Sequence, residues 1–212
     1  MLAADETLLA HQDHWLVREI IHLVKRTLKR MDLTARSFFA LIEPGSCFAG
    51  TLFELALAAD RAYMLDDPER PNSIALSGMN GGPLKMSNGI TRLETRFLGD
   101  PERVSELLEE GKPFDPQEAL EAGLVSFAPD ELDWDDEVRL AVESRAALSP
   151  DALTGMEANL RFPGPETMET KIFGRLTAWQ NWIFQRPNAV GDKGALTAYG
   201  SQARPEFDFN RT

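Results

Sequence analysis

Cys47, Gly50, Thr51 and Glu54 bring a thiol, a residue without Cβ, a hydroxyl and a carboxylate into eight consecutive positions of a 212-residue chain. They lie in the stretch SFFALIEPGSCFAGTLFELALAAD, residues 37–60. A carboxylate about one turn into a helix can reach a ligand whose carbonyl is held by the backbone N–H groups that open the helix. Desolvation there would raise the carboxyl pKa toward values useful for general acid/base work. The plainer reading of Glu54 is a surface glutamate supporting a Lys or Arg. Gly50 matters for its backbone, because a missing Cβ permits close approach and unusual torsions. Cys47 is a tempting nucleophile or substrate contact, but no His or Arg is near it in sequence, and a buried Cys is commonly inert.

The elements that must position these groups are legible around them. Residues 37–42 form an apolar, aromatic run of strand length, and Glu43-Pro44-Gly45-Ser46 is turn chemistry. From Gly50 or Thr51 to Asp60, Leu52, Leu55, Ala56 and Ala59 recur at helical spacing. A buried strand therefore feeds a turn that opens a helix. Unpaired N–H groups and the helix dipole can hold an oxyanion, a phosphate or a polarised carbonyl there. Most strand–turn–helix units bind nothing.

This stretch resembles the second oxyanion-hole segment of the crotonase (enoyl-CoA hydratase/isomerase) superfamily, where a Gly-rich turn leads into a helix reading Glu-Leu-Ala and then Asp. Glu54-Leu55-Ala56 and Asp60 stand in that relation. The run EPGSCFAGTLFELALAAD, the segment MEANLRFPGPETMETKIFGRLTAWQNWIF and the tail PNAVGDKGAL are similar to one branch, the benzoyl-CoA-dihydrodiol lyases of aerobic benzoate degradation. The resemblance covers nearly the whole chain. Proteins of that branch are far longer, so the chain is expected to be the C-terminal portion of one. The resemblance implies an α/β, partial crotonase-like (ClpP/crotonase) fold. The implied reaction is opening of the ring of 2,3-epoxy-2,3-dihydrobenzoyl-CoA with water, giving 3,4-didehydroadipyl-CoA semialdehyde and formate. It also implies an acyl-CoA substrate, no metal and no cofactor beyond the CoA of the substrate. Glu54 takes the family's acid/base position. The oxyanion donor falls on Gly50 when counted from Gly45 and on Thr51 when counted back from Glu54. The position of a second family glutamate falls on Gly78, which weakens a two-carboxylate hydratase reading. Asn80, two residues on, is the candidate to hydrogen-bond a water or an epoxide oxygen. The first oxyanion donor of crotonases comes from strands upstream of this segment, so the chain alone is expected to carry half a site.

Composition sets outer bounds. A formal net charge of −12 and 26% charged residues argue against nucleic acid or an anionic membrane as the main partner. One cysteine excludes an internal disulfide and suits a reducing compartment. No apolar run approaches the roughly 20 residues of a membrane span. MLAADETLLAHQDHWL carries acids and no basic region, unlike a signal peptide. A cytoplasmic location follows as the expectation.

Residues 5–31 read as one long helix or two, with Leu16, Ile20, Val24, Leu28 and Met31 on one face. His11 and His14 on it have too few companion ligands for a metal site. Residues 61–65, 74–76 and 124–127 read as short strands, and residues 77–89 as a Gly-rich loop. Helices are expected over 91–98, 100–110, 115–122 and 133–147, with Asp-Pro starts and Gly stops. Composition shifts after Leu148, dividing a crotonase-like core (1–148) from a helical C-terminal region (149–212). That region holds helices at 151–160 and 166–185, separated by Pro163-Gly164-Pro165, with Met168, Ile172, Leu176, Trp179 and Ile183 as an apolar stripe. Packing on the core or on another subunit explains such a stripe, and a homodimer is the expected assembly. The alternative functions are a non-catalytic dimerisation module and a plain enoyl-CoA hydratase or isomerase.

Overall fold

The computed structural model describes residues 1–161, 163–164 and 166–211, arranged as two compact units, Met1–Arg139 and Leu140–Thr212. The first unit is built on a parallel pair. Strand β1 (Phe39–Ile42) lies beside β2 (Arg61–Met64), with Phe39 opposite Arg61 and Ile42 opposite Met64. Parallel neighbours need a crossover. Here it is the 3₁₀ turn Gly50–Leu52 running straight into helix α3 (Phe53–Ala58).

The strands expected at 74–76 and 124–127 supply only isolated bridges. Ile74 gives its N–H to Phe114 O and Ala75 gives its own to Phe48 O, so two adjacent residues serve different neighbours and no ladder runs. Leu124 and Val125 turn their N–H groups back to Ala119 O at a helix end, leaving Ser126 and Phe127 to reach Ala62 O.

Before β1 come two helices, not one: α1 (Leu2–Ala10) and α2 (Trp15–Asp32), the second capped by His14, whose Nδ1 accepts from Leu16 N–H at 3.3 Å. The inner face of α2 is offset by one residue from the face expected at its start. Ile21 and Leu28 are buried with Val17, Val24 and Met31 against them, while Leu16, Ile20 and Leu23 are exposed. Met79, Leu84 and, from α1, Leu8 and Leu9 complete that cluster.

After β2 the cap chemistry places the helices where the sequence puts them. Helix α4 (Arg92–Arg96) begins with a reciprocal Thr91–Glu94 capping box. Helix α5 (Pro101–Glu110) ends at Gly111 in the left-handed region, and α6 (Pro116–Glu121) has a second capping box from Asp115. Helix α7 is Trp134–Ala146. The main core joins Ile42, Phe53, Met64, Leu93, Leu107 and Leu124 from these elements.

The second unit is helical. Helix α8 (Pro150–Leu160) precedes α9 (Met168–Lys171), a π-helical turn Ile172–Leu176, α10 (Thr177–Ile183), α11 (Pro187–Val190) and α12 (Ala195–Ala198). The long helix expected at 166–185 is thus one run with a π turn inside it, and Pro165 of the expected break lies outside the described residues. The five-residue stripe splits. Trp179 and Ile183 lie against α8 at Gly155, where a Cβ would come within 2.7 Å of Ile183 Cδ1. Met168 and Leu176 are exposed, as is Phe173. Among the described residues no helix is long and apolar enough to cross a membrane.

Candidate active site

Helix α3 turns a different face inward from the one its leucines suggest. Leu52 and Leu55 are exposed; Phe53, Glu54, Ala56 and Ala58 are buried. Glu54 is therefore no surface residue: it is wholly enclosed. Its Oε1 accepts from Asn80 Nδ2 at 2.7 Å and its Oε2 from Arg92 Nη1 at 2.9 Å. Burial pushes the Glu54 carboxyl above the ordinary 4.5, against the opposing pull of Asn80 and Arg92. Each oxygen keeps a lone pair beyond the bond it accepts.

Arg92, at the first position of α4, is itself buried between two acids. Its Nε and Nη2 make a two-pronged pair with Asp32 at the end of α2, at 3.0 and 2.6 Å. Two carboxylates share one guanidinium. A fork of this kind fixes planes as well as distances, so α2, α3 and α4 are locked around Glu54.

Asn80 is wholly buried and turns its amide toward Glu54. Its Nδ2 serves both Glu54 and Gly50 O (3.0 Å), and its Oδ1 accepts from Ser77 N–H at 2.9 Å. Both amide hydrogens are committed to groups of the chain, one of them to Glu54.

The two candidate oxyanion donors are also separated. Gly50 has φ 52°, and its N–H is spent on Ala75 O at 2.8 Å. Thr51 N–H donates instead to a side chain, Asp5 Oδ2, at 2.7 Å. Thr51 is thus the residue whose N–H is aimed at an oxygen anion, here supplied by α1. Cys47 is exposed in the connection ahead of this helix. Gly78 carries no group into the site, and Leu9 of α1 stands 2.8 Å from where its Cβ would be.

Asp5, Asp32 and Arg92 are not legible as site residues in the sequence. Their only signal is composition, acids and an arginine beside apolar helix faces, and nothing local pairs residues 38 to 60 positions apart. Among the described residues no group of three or more His, Cys, Asp and Glu gathers as metal ligands.

No protein-family model matches the chain. All 212 residues align at 57% identity with a benzoyl-CoA-dihydrodiol lyase from Aromatoleum evansii, spanning 38% of that protein's length. Solved structures similar to the chain include enoyl-CoA hydratases. The one from Geobacillus kaustophilus superposes with a TM-score of 0.71 at 19% identity, over 92% of this chain and 69% of that one. The one from Bacillus anthracis gives 0.66 at 18% identity, over 94% and 73%. At such identities the likeness is one of fold, and the α/β crotonase-type fold implied by residues 37–60 is the fold observed.

Proposed function

We infer that this chain belongs to the benzoyl-CoA-dihydrodiol lyases of the crotonase superfamily and forms part of such an enzyme. In this reading the complete protein opens the ring of 2,3-epoxy-2,3-dihydrobenzoyl-CoA with water and releases formate and 3,4-didehydroadipyl-CoA semialdehyde in the cytoplasm. The observation that carries it is the enclosed Glu54, gripped by Asn80 and Arg92 one helical turn beyond a backbone N–H aimed at an oxygen anion.

Thr51 N–H polarises the thioester carbonyl, and Glu54 moves the proton of the attacking water or of the ring carbon. Cys47, exposed in the connection ahead of α3, borders the acyl group. CoA enters as part of the substrate and no separate cofactor is required. A second carbonyl donor and much of the acyl pocket come from the part of the longer enzyme that the chain does not span. Losing one oxyanion donor costs about 3–4 kcal/mol of transition-state stabilisation, so the 212 residues alone should turn over slowly or not at all.

A chimera tests this. This chain replaces the matched 38% of the Aromatoleum evansii lyase, and formate is followed with the epoxide as substrate. Formate release by the chimera, and little from the 212 residues alone, is the expected pair of results. A folded chimera that binds benzoyl-CoA but yields no formate would overturn the assignment.

The assembly proposed is a homodimer. Met168 and Phe173 are each 70% exposed and Leu176 52%. Apolar side chains so placed on one helical run favour a subunit contact. The same face would serve a purely structural dimerisation role if the chemistry failed.

A further inference from the structure

Asp5 is wholly buried, yet it has no ion pair among the described residues. Three donors converge on its carboxylate. Oδ2 accepts from Thr51 N–H at 2.7 Å and from Ser77 Oγ at 2.6 Å, and Oδ1 accepts from Thr51 Oγ1 at 2.7 Å. Ser77 Oγ in turn accepts from Met79 N–H at 3.2 Å, which leaves its own proton for Asp5.

The surrounding backbone is cut to admit this group. A Cβ on Gly50 would collide with Asp5 Oδ2 and lie 2.9 Å from Ser77 Oγ; one on Gly78 would meet Leu9 Cδ1. Asp5 and Leu9 are four residues apart, on the same face of α1. The helix thus covers two glycines at once, with an acid over one and an apolar side chain over the other. Leu8 and Leu9 already anchor α1 in the cluster of Ile21, Leu28, Met79 and Leu84. Apolar packing could hold the helix without burying a carboxylate, and burying one without a cation is costly.

We propose that Thr51 N–H, Thr51 Oγ1 and Ser77 Oγ form a binding site for an oxygen anion, that Asp5 is its built-in occupant, and that α1 is a plug that must withdraw before a carboxylate or a thioester oxyanion can enter. The identity of the incoming oxygen as a thioester's rests on the function proposed above; the cradle itself does not.

Asp5→Ala separates the two. Acetate or formate added to the folded variant should refill the cradle and raise its melting temperature, leaving wild type unmoved. Should Asp5→Ala fail to fold, Asp5→Ser, which keeps a small acceptor, takes its place. In the same variant, calorimetry should show benzoyl-CoA binding about tenfold tighter than to wild type, the gain expected when an occupied form outnumbering the open one about ten to one is removed. A folded variant whose melting temperature ignores both anions overturns the proposal and leaves Asp5 as a structural clamp. An anion response without benzoyl-CoA binding upholds the cradle and plug and removes the thioester from the reading.

Discussion

Arg92 holds Glu54 from one side at 2.9 Å while its other edge grips Asp32 at 2.6 and 3.0 Å. One buried cation thus serves a carboxylate proposed to act on substrate and a second carboxylate that anchors it. The side chain proposed for chemistry and the packing of three helices share a single residue, so the two should be separable only from the Glu54 side.

Glu54→Gln should leave the fold intact and remove the ionisable group. In the chimeric lyase, formate release should fall by about 10²–10⁴-fold, the usual contribution of a general acid/base. A variant as fast as the parent would refute the role given to Glu54.

Arg92→Leu should fail differently. It strands two buried carboxylates, and breaking such a pair from one side costs about 3–5 kcal/mol. Urea unfolding should show the midpoint lowered and the extrapolated unfolding free energy reduced by that order. Arg92→Lys should recover only part of it, since a point charge cannot make the two-pronged bond to Asp32 while also reaching Glu54. Full recovery with Lys would mean that charge, not geometry, is what the site needs.

Burial raises the Glu54 carboxyl above 4.5. From pH 4.5 up to that raised value the folded chain retains a proton that the unfolded chain has released. Glu54 therefore favours folding most at low pH, and its contribution is lost as pH climbs through the window. Melting temperatures of wild type and Glu54→Gln, compared over rising pH from 4.5, should drift in favour of Gln. A difference that is flat or drifts toward wild type would contradict the direction of the shift.

Leu176→Asp addresses assembly. Leu176 is 52% exposed, so the change should cost little in the isolated fold. Sedimentation should shift toward the smaller species with the melting temperature of the dissociated chain nearly unchanged. An unaltered sedimentation profile would remove this face as the subunit contact.

Local signals carried far in this chain, and long-range ones did not. Asp100-Pro101, Asp115-Pro116, Gly111 and Gly123 marked helix ends because capping is decided within four residues. Glu54 and its turn were legible for the same reason, supported by the family resemblance. The inward face of α3 was misread, since Leu52 and Leu55 are exposed and a glutamate is inside; hydrophobic spacing assigns a buried acid to the wrong side of a helix. The partners Asn80, Arg92 and Asp32 meet only after β1, β2 and the helices are placed, which no window of sequence contains. Asn80 is legible as a site candidate from its place after the Gly78 position, but its bond to Glu54 is not.

The π turn at Ile172–Leu176 has a consequence for how the second unit could be altered. A π turn is a helix carrying one spare residue, and Gly174 has nothing within 4 Å of where its Cβ would be. Deleting Gly174 should let the run close up as ordinary α-helix. Residues 168–171 would keep their phase relative to residues 177–183, because the residue removed and the extra residue that the wide turn absorbs offset each other. Met168 and Leu176 would stay exposed, and Trp179 and Ile183 would stay seated at Gly155. The run therefore tolerates a one-codon deletion that an uninterrupted α-helix, turning by about 100° per residue, would register as a twist of its exposed edge.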